Sequence, residues 1–95
     1  MLIIIKSAPE TSEGKRGVKL ACDTSSDIVL LQNGVYFMLE QKLGEAGFTG
    51  KAYVIEDDEK LRGLKADTDS KNIQGVDYDS LIDLMTESDK VIGMF

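Results

Sequence analysis

Ile28-Val29-Leu30-Leu31-Gln32-Asn33-Gly34 decides the fold, because four consecutive apolar residues run straight into two amides and a glycine. A strand buried on both faces reads this way as it empties into a turn. Beyond the turn, Val35, Met38, Leu39, Leu43 and Ala46 fall on one side of a 3.6-residue period, so a helix is predicted over Gly34–Ala46, stopped by Gly47. A buried strand, a Gln-Asn-Gly turn and an amphipathic helix make half of a βαβ unit. Parallel sheets bind ligands and partners at the loops beyond the carboxyl ends of their strands, so Gln32, Asn33 and Gly34 mark the expected functional edge.

Working outward, Leu2–Lys6 is expected to form the first strand, and a helix over about Glu13–Cys22 puts Val18, Ala21 and Cys22 on one face. Lys51–Ile55 is a short third strand. Glu56–Leu64 is predicted as a short helix whose acidic start suits the positive N-terminal dipole, and Lys65–Asn72 as an exposed loop. Ile73–Val76 is the fourth strand. Asp77 caps a helix through about Glu87 with Tyr78, Leu81, Ile82 and Met85 on its expected core face, and Lys90–Phe95 closes the chain as the fifth strand. Alternating strands and helices at this spacing predict a single α/β domain over residues 1–95, a three-layer α/β/α sandwich around a five-stranded, mainly parallel sheet.

Composition sets bounds on function. With 95 residues, 42% hydrophobic and one proline, the chain is large enough for one core and too apolar to be disordered. Seventeen acidic against eleven basic residues give a net charge of −6, which repels polyphosphate, so direct nucleic-acid binding is not expected. No segment has the length of a membrane span, and Met1–Ile5 lacks the features of a secretory leader, which predicts a cytoplasmic protein. Histidine is absent, which removes imidazole acid–base catalysis and the commonest zinc ligand.

The chemistry-bearing candidates are few. Cys22 is the single cysteine and the only strong nucleophile type. A persulfide role would need an exposed, favoured thiolate. Its apolar helical face, its place near a helix C-terminus and the adjacent Asp23 argue instead for an inert, buried side chain. Glu56-Asp57-Asp58-Glu59 could suggest a cation site, but helix-start charge in solvent accounts for it, and no metal is predicted. Asp67 and Asp69 imitate a calcium loop only until Lys71 and Asn72, and the distal glutamate is missing. Gly44, Gly47 and Gly50-Lys51 miss the phosphate-loop spacing, since Glu45 occupies a glycine position and Ala52 replaces the hydroxyl. No cofactor is therefore expected. Tyr36 and Phe37 remain: with Val35 at the centre of the core face and about 100° between residues, Tyr36 lies at the flank and Phe37 points outward. An outward aromatic beside the sheet edge suggests a partner interface of Gln32, Asn33, Gly34, Tyr36 and Phe37; the plainer reading is an isolated aromatic on a slightly rotated helix.

Four ordered pieces then carry a resemblance: Leu30-Leu31-Gln32-Asn33-Gly34-Val35, Ala52-Tyr53-Val54-Ile55-Glu56-Asp57, Arg62-Gly63, and Val76-Asp77-Tyr78. Together they resemble the DsrH/TusB family of sulfur relay proteins over nearly the whole chain. The resemblance implies a DsrE/DsrF/DsrH-type α/β domain that assembles with copies of itself or with homologous TusC- or TusD-type subunits. It further implies a part in passing persulfide sulfur, toward 2-thiouridine at the tRNA wobble position or in sulfur oxidation. In that scheme the DsrH/TusB subunit is a structural or docking partner, and a DsrE/TusD-type subunit carries the reactive cysteine. Cys22 lies about one turn later than the first-helix cysteine of some DsrH members, and Phe95 stands where many relatives have tryptophan. The alternatives are a persulfide carrier using Cys22 and an oligomeric regulatory domain unrelated to sulfur.

Overall fold

A computed structural model describes residues 1–38, 43, 47–63 and 73–94. Strands β1 (Leu2–Ile5), β2 (Asp27–Leu30), β3 (Ala52–Ile55), β4 (Ile73–Val76) and β5 (Val91–Met94) form one sheet in the order β4-β3-β2-β1-β5. All four pairings are parallel. The expected α/β architecture is therefore present, and its sheet is wholly rather than mainly parallel.

Alternation along the central strands divides the core into two layers. Ile3, Ile5, Ile28, Leu30, Ala52 and Val54 pack on one face with Val18, Ala21, Val35, Phe37 and Met38. Leu2, Ile4, Val29, Leu31 and Ile55 pack on the other with Val76 and Leu81. Successive side chains of a strand point to opposite faces, so an unbroken run such as Leu2-Ile3-Ile4-Ile5 requires cover on both sides.

Helix α1 (Ser12–Thr24) starts where the Thr11 hydroxyl accepts the Gly14 N–H at 3.1 Å and donates to the Ala8 carbonyl at 2.7 Å. It ends at Ser25, whose left-handed backbone (φ 53°) lets its N–H reach the Ala21 and Cys22 carbonyls. Gly14 weakens α1 by propensity yet is required by packing, since a Cβ there would lie 2.3 Å from the Ala8 carbonyl oxygen. Helix α2 (Glu56–Leu61) follows β3 directly. Helix α3 (Tyr78–Glu87) begins with the Asp77 carboxylate accepting the Ser80 N–H at 2.7 Å. That bond, before any other influence, holds the Asp77 carboxyl below its ordinary pKa.

Two expectations need correction. The segment after β2 opens as a 3₁₀ helix, Gln32–Met38, rather than as an α-helix from Gly34. Leu43 is helical and buried, whereas the rest of the predicted helix beyond Met38 lies outside the described residues, as do the predicted loop 65–72, the Asp67/Asp69 pair and Phe95. The core line of α3 is Leu81 with Leu84 beside it, while Tyr78, Ile82 and Met85 are 43%, 60% and 39% exposed. The helix is rotated so that the Leu81–Leu84 pair faces the second core layer. Among the described residues, no helix is long and apolar enough to cross a membrane.

Candidate functional site

The carboxyl edge of the sheet is organised by one buried acid. At the end of β2, the Leu31 N–H still bonds the Ile5 carbonyl at 3.1 Å, and the chain then turns through Gln32 with a left-handed φ of 50°. An L-residue with a long side chain adopts that backbone at a cost of roughly 1–2 kcal/mol. What holds it is Asp58, only 6% exposed, whose Oδ2 accepts the Gln32 N–H at 2.8 Å. The same oxygen accepts the Tyr78 hydroxyl at 2.9 Å. Asp58 thereby joins the turn after β2 to α2 and to the first residue of α3.

A second link runs through Arg62 at the end of α2. Its Nη1 donates to the Asp58 carbonyl at 3.2 Å, and its Nε and Nη2 both donate to Asn33 Oδ1, at 3.3 and 3.2 Å. This fork orients the exposed Asn33 side chain. Burial, then the bond to Asp58 and the charges of Asp58 and Asp57, push the Tyr78 phenol above its ordinary pKa, with Arg62 opposing them. Tyr78 is consequently a neutral donor through the physiological range.

Gly34 closes the turn against β1. Its N–H bonds the Lys6 and Leu31 carbonyls at 3.1 and 3.0 Å, and a Cβ at this position would lie 2.1 Å from the Ile5 carbonyl oxygen. Only glycine permits that approach.

The sequence-predicted interface residues divide here. Gln32 and Asn33 are exposed and Tyr36 is half-buried. Phe37, expected to point outward, is instead 5% exposed and packed in the core layer with Val35 and Met38. The 3₁₀ geometry explains the difference, because three residues per turn eclipse side chains at i and i+3. Gly34 and Phe37 share one inward line and Val35 and Met38 another, leaving Asn33 and Tyr36 on the outward one.

The acidic run also behaves differently from expectation: Asp58 and Glu59 are buried, at 6% and 5% exposure, rather than solvated. A signal for this was available, since four consecutive residues at about 100° each sweep most of the way around a helix and cannot all face water. Among the described residues, no three His, Cys, Asp or Glu side chains group as a metal site.

Cys22 lies elsewhere. It is half-buried near the C-terminal end of α1, packed against the first core layer. Because α1 leads into the start of β2, Cys22 sits near the amino edge of the sheet, whereas the Gln32 turn follows the carboxyl end of the same strand. The structure does not bring the cysteine and the Gln32–Asn33 turn together.

The family model described as "DsrH like protein" matches residues 6–91. The chain is also similar to a solved structure, the solution NMR structure of protein Tm0979 from Thermotoga maritima. The identity is 31% and the TM-score 0.63, over 95% of this chain and 97% of that one. No curated protein matches the sequence.

Proposed function

Because the chain belongs to the family of DsrH like proteins, its function is of the sulfur-relay type, and we propose that it serves such a relay as a docking subunit rather than as the persulfide carrier. The observation that carries this reading is the placement of its one cysteine. Persulfide transfer requires a thiolate to reach a sulfur on another protein, so a carrier cysteine must be accessible. Cys22 is half-buried against the core, and the exposed polar turn held by Asp58 and Arg62 is at the other edge of the sheet.

The docking surface of this reading is the turn Gln32-Asn33-Gly34 with Tyr36. Gln32 and Asn33 offer side-chain amides to a partner, Tyr36 offers partial aromatic area, and the buried Gly34 fixes the backbone beneath them. Both a pre-set backbone and an oriented Asn33 lower the ordering cost of association. The partner is a homologous DsrE- or DsrF-type subunit that supplies the reactive cysteine, and the relay is one leading to wobble-uridine thiolation in the cytoplasm. A net charge of −6 supports leaving contact with the RNA to another subunit.

The test is sulfur transfer in the assembly of this chain with a DsrE-type subunit, using a radiolabelled persulfide donor. The Cys22→Ser assembly is expected to transfer sulfur at the wild-type rate, with label on the partner's cysteine. Label on Cys22 itself, together with loss of transfer in Cys22→Ser, would establish the carrier reading instead. A purified chain that binds no such subunit would remove the docking reading.

A further inference from the structure

Arg62 settles which end of the Asn33 amide faces outward. Its Nε and Nη2 both donate to a single atom of that side chain, at 3.3 and 3.2 Å. A guanidinium carries donors only, and of the two ends of an amide the oxygen alone accepts. Asn33 is therefore fixed with Oδ1 toward Arg62, since the reversed amide would set N–H against N–H. Nδ2, with its pair of N–H donors, is the end left for other contacts on an exposed side chain. Among the described residues nothing accepts from it.

What stands behind that donor defines its chemistry. A cation donating twice into the carbonyl draws electron density from the amide, which strengthens its N–H groups as donors. The half-buried Arg62 also brings a positive charge: its third bond goes to the Asp58 carbonyl, and among the described residues no carboxylate forms an ion pair with it. The Asp58 carboxylate is itself buried and turned to Gln32 and Tyr78. The backbone under Asn33 is set on both sides, by the bond from the Gln32 N–H to Asp58 and by those from the Gly34 N–H to the Lys6 and Leu31 carbonyls. The Asn33–Arg62 pair thus presents hydrogens and positive charge at a fixed place, in a chain whose net charge is −6.

We infer that Asn33, held by Arg62, is the specificity-determining residue of the carboxyl-edge turn, and that it recognises a carboxylate, an aspartate or glutamate side chain of the partner subunit. The inference rests on the docking reading above and adds to it the chemical group that the turn selects. A main-chain carbonyl accepts the same bonds but gains little from the guanidinium charge, whereas bonds to an ionised acceptor are roughly twice as strong as neutral ones. A partner presenting lysine or arginine at this place would set donor against donor and like charge against like, so the same pair also rejects wrong partners.

Asn33→Asp tests this with the smallest change of shape, keeping an oxygen for Arg62 and replacing the outward NH2 by a second oxygen. In NMR spectra of the free full chain, the Arg62 Nε–H should stay protected in Asn33→Asp and lose protection in Asn33→Leu, as expected if the fork rests on Oδ1. Assembly with a DsrE-type subunit, followed by isothermal titration calorimetry, should weaken about tenfold or more in Asn33→Asp at low salt. The loss should shrink at high salt, which screens the repulsion between the two carboxylates. Changing the partner's surface aspartates and glutamates to their amides one at a time should find one change that weakens the wild-type assembly and restores that of Asn33→Asp. Unchanged or tighter assembly of Asn33→Asp, or an Arg62 signal indifferent to both substitutions, would overturn the inference. A loss that ignores salt and that no partner change restores would also overturn it, assigning the contact to a main-chain carbonyl. A wild-type chain that does not assemble at all removes the docking reading and this inference with it, whereas assembly that is indifferent to Asn33 removes the inference alone.

Discussion

Removing the Asp58 carboxylate should unfasten the carboxyl edge. Asp58→Ala deletes the acceptor of the Gln32 N–H and of the Tyr78 hydroxyl, at 2.8 and 2.9 Å, from a position only 6% exposed. Hydrogen bonds to a charged group contribute about 1.5–3 kcal/mol each, and two that share one oxygen are not independent, so a loss of about 3–5 kcal/mol is expected. Against a total of about 5–15 kcal/mol for a small domain, that is a large fraction, and it should lower Tm by on the order of 15–30 °C. Asp58→Asn separates the acceptor from its charge. Both bonds end on the same atom, Oδ2, so an asparagine carbonyl oxygen placed there can accept both. The remaining cost is the charge assistance, about 1–2 kcal/mol. Urea unfolding followed by circular dichroism measures the two costs, and hydrogen exchange at the Gln32 amide reports whether the left-handed turn opens. An alanine variant that loses under about 1 kcal/mol, or an asparagine variant as damaged as the alanine one, would refute the assignment of Asp58 as the acceptor that holds this edge.

Gly34→Ala should cost about 3 kcal/mol or more and shift the resonances of β1, because its Cβ would meet the Ile5 carbonyl oxygen at 2.1 Å with no flexible side chain to yield; a fully stable variant would show that the turn has another conformation. Phe37→Ala should lose about 3–5 kcal/mol in chemical denaturation, as expected for an emptied core position, and a loss below about 1 kcal/mol would place this side chain outside the core. Tyr78 makes the domain sensitive to alkali. Its folded pKa lies above the ordinary 10.0, so the folded state holds the phenolic proton longer than the unfolded one. The resulting stabilisation is complete below pH 10 and is lost as pH rises from there through the folded pKa. Stability measured across that range should decline in the wild type and decline less in Tyr78→Phe; parallel profiles would show that Tyr78 does not contribute.

Most of the architecture was legible in the residues themselves. Runs such as Leu2–Ile5 and Ile28–Leu31 have no polar alternate, so they can be satisfied only between two covering layers. Asp77 and the Gln32-Asn33-Gly34 turn announce an element boundary by local chemistry, and local chemistry acts within a few residues of its cause. What the tertiary structure alone decided is where side chains point once several elements meet. Helical periodicity assumes about 100° per residue, and the 3₁₀ form of Gln32–Met38 broke that assumption, turning Phe37 inward. The phase of α3 likewise depended on which apolar line found a neighbour, and Leu81 with Leu84 displaced Tyr78, Ile82 and Met85 from the core. Asp58 is the clearest instance. Its two donors lie 26 and 20 residues away in the chain. A carboxylate is assigned to solvent by its own chemistry and to the interior only by partners that folding brings to it.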